Sequence, residues 1–346
     1  MLFFRKKYFS GLDIGTSSIK LIQLRESKDN AYDYYIRSVQ YSDKNDPTIN
    51  QLREVIEELS RDTKRLGDVI MASIQGISII TRYIEIPKIS TKELEVALPI
   101  EAKRFVPFPL EEVRLTYSVV PILSRDKHKM GITFVGIPRN QITRVENFFH
   151  DFNIKVKKFE TPAFSLARAF KASQNYRRGE TVLILNIGTK YTNLLICRDG
   201  SVYLARDIRL GGRNLTWSII SPKAPDYSKA EVKKRTENLF AKNETFVPIQ
   251  AKIEEWKREI TDSMDYYCNY LINSPLEINR VVLMGGGSLM TGLADYLSKA
   301  INLPVFVDSE LSGRLEDSSK EKDLTRVSPV LKYAYGLALG AREDFS

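Results

Sequence analysis

Two short segments carry the residue types that can hold a phosphate. Leu12-Asp13-Ile14-Gly15-Thr16-Ser17-Ser18 precedes the run Ile19 to Leu24, and Leu185-Asn186-Ile187-Gly188-Thr189 precedes Leu194 to Cys197. Each pattern predicts a hairpin tipped with glycine and small hydroxyl residues (Thr16, Ser17, Ser18; Thr189, Thr192), where backbone N–H groups can close on an anion. Triphosphate oxygens also require a divalent cation, and Asp13 is the candidate carboxylate for Mg2+, held through water. The plainer alternative for Asp13 is a turn former at a strand end. Lys20 has two readings of equal standing: a point charge reaching the phosphates, or the outer face of a strand between Ile19 and Leu21. A third element, Val281 to Ser288, reads as a buried strand running into Gly285, Gly286 and Gly287 and then a helix. Such glycines let the chain pass close to a flat base, though they also suit an ordinary tight turn. Two facing hairpins and a later triple glycine point to a nucleotide clamped between two halves.

The elements that must position these residues alternate between strand and helix, which argues for sheets covered by helices, an α/β class. Gly11 to Arg25 reads as hairpin strands, Tyr34 to Tyr41 as a further strand, Asn50 to Thr63 as an amphipathic helix and Val69 to Ser73 as a buried strand. From Pro87 to about Glu160 the texture changes. Ser90-Thr91-Lys92-Glu93 is a capping box opening a helix with Leu94, Leu98 and Phe105 on one face, and Pro99 is expected to kink or break it. Pro107 and Pro109 force an extended exit, followed by strands Leu115 to Leu123 and Met130 to Ile137 and a helix from about Arg139 to Asp151. The second half opens with strands Val182 to Asn186, Asn193 to Cys197 and Ser201 to Ile208, then a helix near Asn214. A long amphipathic helix is expected from Val247 to Ile272. Ser328-Pro329 is the expected N-cap and N1 pair of a last helix through Arg342, its stripe Val330, Tyr333, Ala334, Leu337, Ala338 and Ala341 facing the first domain.

The ordered set of motifs resembles the actin-like ATPase superfamily, and more closely the PilM family of type IV pilus assembly. The resemblance spans nearly the whole chain. It rests on Leu12 to Leu21, on Glu101-Ala102-Lys103-Arg104-Phe105-Val106-Pro107-Phe108-Pro109-Leu110-Glu111-Glu112, and on Leu210-Gly211-Gly212-Arg213-Asn214-Leu215-Thr216. It implies an actin-like (ribonuclease H-like) two-domain ATPase fold, with an inserted subdomain of the FtsA and PilM type between the phosphate loops. Residues 1–86, with 160–180 and 328–346, would form the first core subdomain, 87–159 the insertion, and 181–327 the second core domain with its adenosine side. ATP and Mg2+ are the implied cofactors. The contacts would be Asp13, Gly15, Thr16, Ser17, Ser18 and Lys20; Asn186, Gly188, Thr189 and Thr192; Gly211, Gly212 and Asn214; Glu231 and Lys234 of an Ala-Glu-x-x-Lys pattern; and Gly285, Gly286 and Gly287.

The chain departs from that family at two places. Asn186 stands where relatives carry aspartate, and an acidic position of the pattern falls on Pro162, with Glu160 nearby as a substitute. Phosphoryl transfer depends on positioning and electrostatics, so loss of such a charge is expected to cut hydrolysis more than binding. The implied partner is the cytoplasmic N-terminal peptide of an inner-membrane PilN-like protein, held between the first core subdomain and the insertion, with Arg104 and Phe105 as contacts. The other apolar residues there are expected to form the insertion's own core. The leading expectation is a nucleotide-binding scaffold coupling that protein to a cytoplasmic motor ATPase, with slow or absent hydrolysis. A sugar- or acetate-kinase-like phosphotransferase is the second reading. An FtsA-like, filament-forming division protein is the third, weakened because FtsA relatives end in a membrane-targeting amphipathic helix after a linker and this sequence shows none by Ser346.

Composition agrees. The 346 residues, 43% hydrophobic, suffice for more than one core. No run reaches the ~20 apolar residues of a membrane span, and Met1 to Lys7 lacks a signal peptide's apolar region, so a cytosolic protein peripheral to the inner membrane is expected. Cys197 and Cys268 are far apart, suggesting neither a disulfide framework nor a metal. The net charge of +9 permits an anionic partner. The basic clusters Arg5 to Lys7, Lys155 to Lys158 and Lys233 to Arg235 read mainly as solvated faces, with Arg5 to Lys7 beside Phe3 and Phe4 the alternative membrane contact. No RNP, zinc-finger or basic-zipper pattern occurs, and no nucleic-acid partner is expected.

Overall fold

The computed structural model describes residues 8–26, 32–40, 45–62, 69–124, 126–220, 225–241, 246–271, 278–311, 314–315 and 324–345. Arg5 to Lys7 lie outside them. The chain opens with β1 (Phe9–Ile14), β2 (Ser18–Glu26), β3 (Tyr32–Gln40), α1 (Ile49–Asp62) and β4 (Val69–Ser73). Next come β5 (Ile80–Pro87), α2 (Thr91–Ala102), β6 (Val113–Val120), β7 (Lys129–Pro138), α3 (Arg139–Asp151), β8 (Lys158–Glu160) and α4 (Pro162–Lys171). The second half holds β9 (Thr181–Ile187), β10 (Thr192–Arg198), β11 (Ser201–Ile208), α5 (Gly212–Ile219), α6 (Tyr227–Thr236) and α7 (Phe246–Tyr266), the last running into a π-helical turn, Tyr267–Leu271. It closes with β12 (Arg280–Met284), α8 (Leu293–Ile301), β13 (Val305–Val307), β14 (Arg314–Leu315) and α9 (Leu324–Phe345).

One strand order is used twice. The first sheet contains β3-β2-β1-β4-β8 and the second β11-β10-β9-β12-β13, each an antiparallel three-strand meander continued by parallel strands. In both, glycine closes the first hairpin with the same bond: Gly15 N–H donates to the Ser18 carbonyl at 3.0 Å and Gly188 N–H to that of Tyr191 at 2.9 Å. The first sheet adds β14 beside β3. The second adds β5, β7 and β6, joined through the pairs Leu204–Arg82 and Ala205–Thr81. The Thr133 hydroxyl donates to the Val202 carbonyl at 2.5 Å and the Tyr83 and Tyr203 rings meet edge to face, so the added strands are packed as well as paired. The helix that follows them, α3, turns back to the first sheet, where Phe149 shares a core with Leu12, Ile19, Leu21 and Ile70.

Between the sheets lie α4 and α9. Apolar residues of both sheets and both helices, among them Met71, Ile184, Leu166, Ala334, Leu337 and Ala338, form one buried cluster. Small residues bring the helices together: a Cβ on Gly336 would stand 1.8 Å from the Ser165 carbonyl oxygen. The fully buried Lys332 of α9 forms an ion pair with the equally buried Asp308 beyond β13 at 2.7 Å. Among the described residues, no helix is long and apolar enough to cross a membrane.

Four local expectations are corrected. The last helix begins at Leu324, so Ser328 and Pro329 lie inside it; Ser328 is buried with its hydroxyl unbonded and caps nothing. Packing of the stripe from Leu331 to Ala341 outweighs the hydrogen bond that Pro329 cannot make. The α2 helix passes through Pro99 to Ala102 unbroken, because Leu94, Leu98 and Ala102 bury one stripe on both sides of the proline. That helix ends before Phe105, which is exposed rather than part of the stripe. The glycines after β12 lead into a 3-10 turn, Gly286–Leu289, and α8 starts only after Gly292.

The helix contact gives a direct test. Gly336→Ala is expected to cost about 1–3 kcal/mol of stability by chemical denaturation, since backbone must move to admit one methyl group. Gly286→Ala, where an added Cβ meets nothing within 4 Å, is the matched control and is expected to leave the midpoint unchanged.

Candidate functional site

The two hairpin tips face each other across a cleft of about 790 Å³, a volume suited to a small-molecule ligand. They touch at one point, where the Ser17 and Thr189 hydroxyls share a hydrogen bond at 2.8 Å. The end of β4 braces the first tip: Ile14 N–H donates to Ser73 Oγ at 3.0 Å, and Gln75 Nε2 donates to the Ile14 carbonyl at 3.1 Å. Across the mouth, Asp46 accepts from Lys190 at 2.6 Å and Arg213 at 2.7 Å. The hydrogen bonds from Lys190 and Arg213 hold the Asp46 carboxyl below its usual range despite some desolvation.

Most residues singled out in the sequence line this cleft: Asp13, Gly15, Thr16, Ser17, Ser18 and Lys20 on one wall, Asn186, Gly188 and Thr189 opposite, and Gly212, Glu231, Lys234 and the Gly285-Gly286-Gly287 turn at the side. Asp13 is 5% exposed; Oδ2 accepts from Lys20 Nζ at 2.9 Å, while the buried Oδ1 has no partner. Lys20 is buried in the wall, and a Cβ on Gly15 would lie 2.9 Å from its ammonium, which rules out an outer-face role. The unsatisfied Asp13 oxygen is the kind of atom a hydrated cation completes.

At the side of the cleft, Lys234 Nζ donates to the Gly212 carbonyl at 3.2 Å, to Thr216 Oγ1 at 2.8 Å and to Glu231 at 2.7 Å. Burial pushes the Glu231 carboxyl up, but the Lys234 charge and hydrogen bond, with the Thr216 hydroxyl, outweigh it and hold the carboxyl below its usual range. Gly285 has φ +81°, a conformation that favours glycine, and its N–H donates to the Pro329 carbonyl at 2.8 Å. A Cβ there would stand 2.6 Å from the Ile187 carbonyl oxygen, so this turn lies directly against the end of β9.

Several expected contacts are placed elsewhere. Thr192 is fully buried and its hydroxyl donates to the Leu210 carbonyl at 2.7 Å, locking β10 to the turn before α5. Gly211 packs behind the second tip against Gly188 and Thr189, and Asn214 caps α5 by accepting from Gly211 N–H at 3.0 Å. Glu160, the nearby substitute for an acid at Pro162, lies outside the cleft lining, and its carboxylate accepts from Arg168 at 2.6 and 3.0 Å and from the Ser165 hydroxyl. Arg104 and Phe105 sit after α2, away from the cleft; Arg104 pairs with Glu101 at 3.3 Å, and Phe105 lies near Phe134. Leu98 and Val106 belong to the core of that region.

Sequence reading missed Asn193, Gln75, Lys190, Tyr227 and Tyr333 in the lining. Asn193 had a signal, since it stands opposite Asn186 in a hairpin of short turn. Its Oδ1 accepts from Asn186 Nδ2 at 2.8 Å, and its own Nδ2 donates to Asp207 at 2.7 Å. The basic clusters are partly paired: Lys158 with Asp344, Lys233 with Glu237 and Arg235 with Glu231.

Solved structures share this architecture. A chain of the PilM-PilN type IV pilus biogenesis complex is 22% identical, with 96% of this chain and 98% of that one covered and a TM-score of 0.77. MreB 5 of Spiroplasma citri bound to AMPPNP is 12% identical, with 98% of each chain covered and a TM-score of 0.58. The ethanolamine utilization protein EutJ from Carboxydothermus hydrogenoformans is 15% identical, with 96% and 89% covered and a TM-score of 0.52. The fold is that of the actin-like ATPases. Residues 11–342 match the family described as type IV pilus assembly protein PilM, and this chain, with its doubled meander and the segment set between the two hairpins, belongs to that family.

Proposed function

We propose that this protein binds ATP with Mg2+ in the cleft and serves as a nucleotide-set scaffold of pilus assembly, positioned in the cytoplasm at the inner membrane. The observation that carries the reading is the meeting of two like hairpin tips beside a buried carboxylate oxygen with no partner. Asp13 would hold the cation, which supplies charge neutralisation to the phosphates. Backbone and hydroxyl groups of Thr16 to Ser18 and Thr189 would bind phosphate oxygens, with Lys20 beside them as a fixed positive charge. Glu231 and Lys234, already held by one another and by Thr216, would meet the ribose and base without reorganising.

Hydrolysis needs a group that positions or deprotonates water. Among the described lining residues the carboxylates are Asp13 and Glu231, each ion-paired with a lysine, and the second hairpin presents an amide at 186. The reading is therefore slow or absent turnover, with nucleotide setting a conformation. The region after α2 would hold the N-terminal peptide of a PilN-like inner-membrane protein, with Arg104 and Phe105 exposed for it, and link that protein to the cytoplasmic motor. The named PilM-PilN complex among the similar structures supports this partner.

Two measurements test the reading. Calorimetric titration is expected to show Mg2+-dependent ATP binding that Asp13→Asn weakens about tenfold or more, with single-turnover phosphate release slower than about 10⁻² s⁻¹. Fast Mg2+-dependent release would overturn slow turnover. Separately, Arg104→Ala and Phe105→Ala are expected to weaken an N-terminal PilN-type peptide about three- to tenfold at an unchanged melting temperature, with ATP and peptide shifting each other's affinity by the same factor. Peptide affinity indifferent to both substitutions would place the partner elsewhere.

A further inference from the structure

The second hairpin carries a row of three polar side chains in cross-strand register: Asn186 on β9 faces Asn193 on β10, which faces Asp207 on β11. The corresponding row of the first meander is Asp13, Lys20 and Ser38. Each row contains one carboxylate. In the first it stands at the cleft; in the second it stands two strands back, with an amide at the cleft in its place. We propose that Asp207 is a positioning residue that, through Asn193, fixes the direction of the Asn186 amide, so that the second hairpin presents an oxygen to the cleft and not an NH2 group.

Donors and acceptors along the row set its direction. An ionised carboxylate only accepts, so Asn193 turns its Nδ2 toward Asp207, at 2.7 Å. Its Oδ1 is then left for Asn186, which must donate Nδ2, at 2.8 Å. With Nδ2 turned to Asn193, the opposite end of the Asn186 amide is Oδ1, and that oxygen faces the Gly285 turn, 2.7 Å from where a Cβ on Gly285 would stand. An amide alone has no preferred direction; the charge at the far end of the row supplies one. A small cavity of about 30 Å³ beside Asp207, also lined by Asn193 and by Thr161, whose buried hydroxyl has no partner, has room for a water that donates to the carboxylate. Burial raises the Asp207 carboxyl, and the Asn193 hydrogen bond opposes it.

An oxygen at 186 accepts from waters around a cation, whereas an NH2 there would donate to a phosphate. Asp207 thus makes the second hairpin a cation-side wall at this point, a specification that rests on the nucleotide reading above for its use but not for its existence. The test follows the row in the ligand-free protein and in the presence of ATP. In protein labelled at asparagine, the Asn186 side-chain NH2 is expected to exchange its protons slowly. Asp207→Leu removes the acceptor, and because a buried oxygen is easier to leave unbonded than an NH2, the row reverses; exchange at Asn186 is expected to quicken about tenfold or more. ATP affinity in Mg2+ is expected to fall about tenfold, with little change in EDTA. Adding Asn186→Asp to Asp207→Leu restores an oxygen at the cleft and is expected to return the Mg2+-dependent affinity to within about twofold. Asp207→Asn keeps the shape if the leucine variant does not fold; an amide at 207 can face either way, and an intermediate exchange rate is expected. Unchanged exchange at Asn186 in these variants, or a double variant no better than Asp207→Leu, overturns the proposal. Wild-type protein that binds no ATP yet shows the exchange pattern overturns the nucleotide reading instead.

Discussion

The close contact of α4 with α9 decides where everything else lies. With no side chain at Gly336, the last helix rests on the backbone of α4 at Ser165, and the two helices together fill the space between two sheets built on one plan. Because α9 lies on β1 and β4 while α4 lies on β10 and β11, the hairpins that begin each meander are brought tip to tip. The Lys332–Asp308 pair, sealed from water, ties α9 to the segment after β13. Losing one member would strand a charge in the interior at a cost of roughly 3–5 kcal/mol. Burial lowers the Lys332 ammonium's affinity for its proton and the Asp308 charge opposes this, so the pair fixes the arrangement rather than adding to a margin of stability.

Electrostatics within the cleft are settled before any ligand arrives. Asp13 is matched by Lys20, Glu231 by Lys234 and Arg235, and Asp46 by Lys190 and Arg213. A wall of this kind is preorganised: its groups are held by neighbours in the fold and need not be gathered by the ligand. The same property limits chemistry, since a carboxylate already engaged with a lysine is a weak acceptor for a proton from water.

Much of this was legible in the chain. Alternation on either side of Gly-Thr tips marked both hairpins, and the helical spacing of Ile249, Ile253, Trp256 and Ile260 marked α7. The family followed from the motifs in order. What the sequence hid was whatever depends on register or on distant packing. Asp207 gives no local sign of its tie to Asn186, because the tie runs across three strands. Asp46 meets Lys190 and Arg213 from more than 140 residues away. Thr192 has the composition of a tip residue, yet strand alternation turns its hydroxyl to Leu210. Ser328 and Pro329 have the chemistry of a helix start, but tertiary packing extends the helix past them.

The segment set between the two hairpins is shared between the halves in an unequal way. Its strands β5 and β7 continue the second sheet, while α3, joined directly to β7 at Pro138, is anchored in the core of the first. The chain also passes between the sheets from β4 to β5, from β8 through α4 to β9 and from β13 to β14, so this junction is one of several that join them. The segment carrying Arg104 and Phe105 is thus tied to both sheets, through β5 and β7 to one and through α3 to the other.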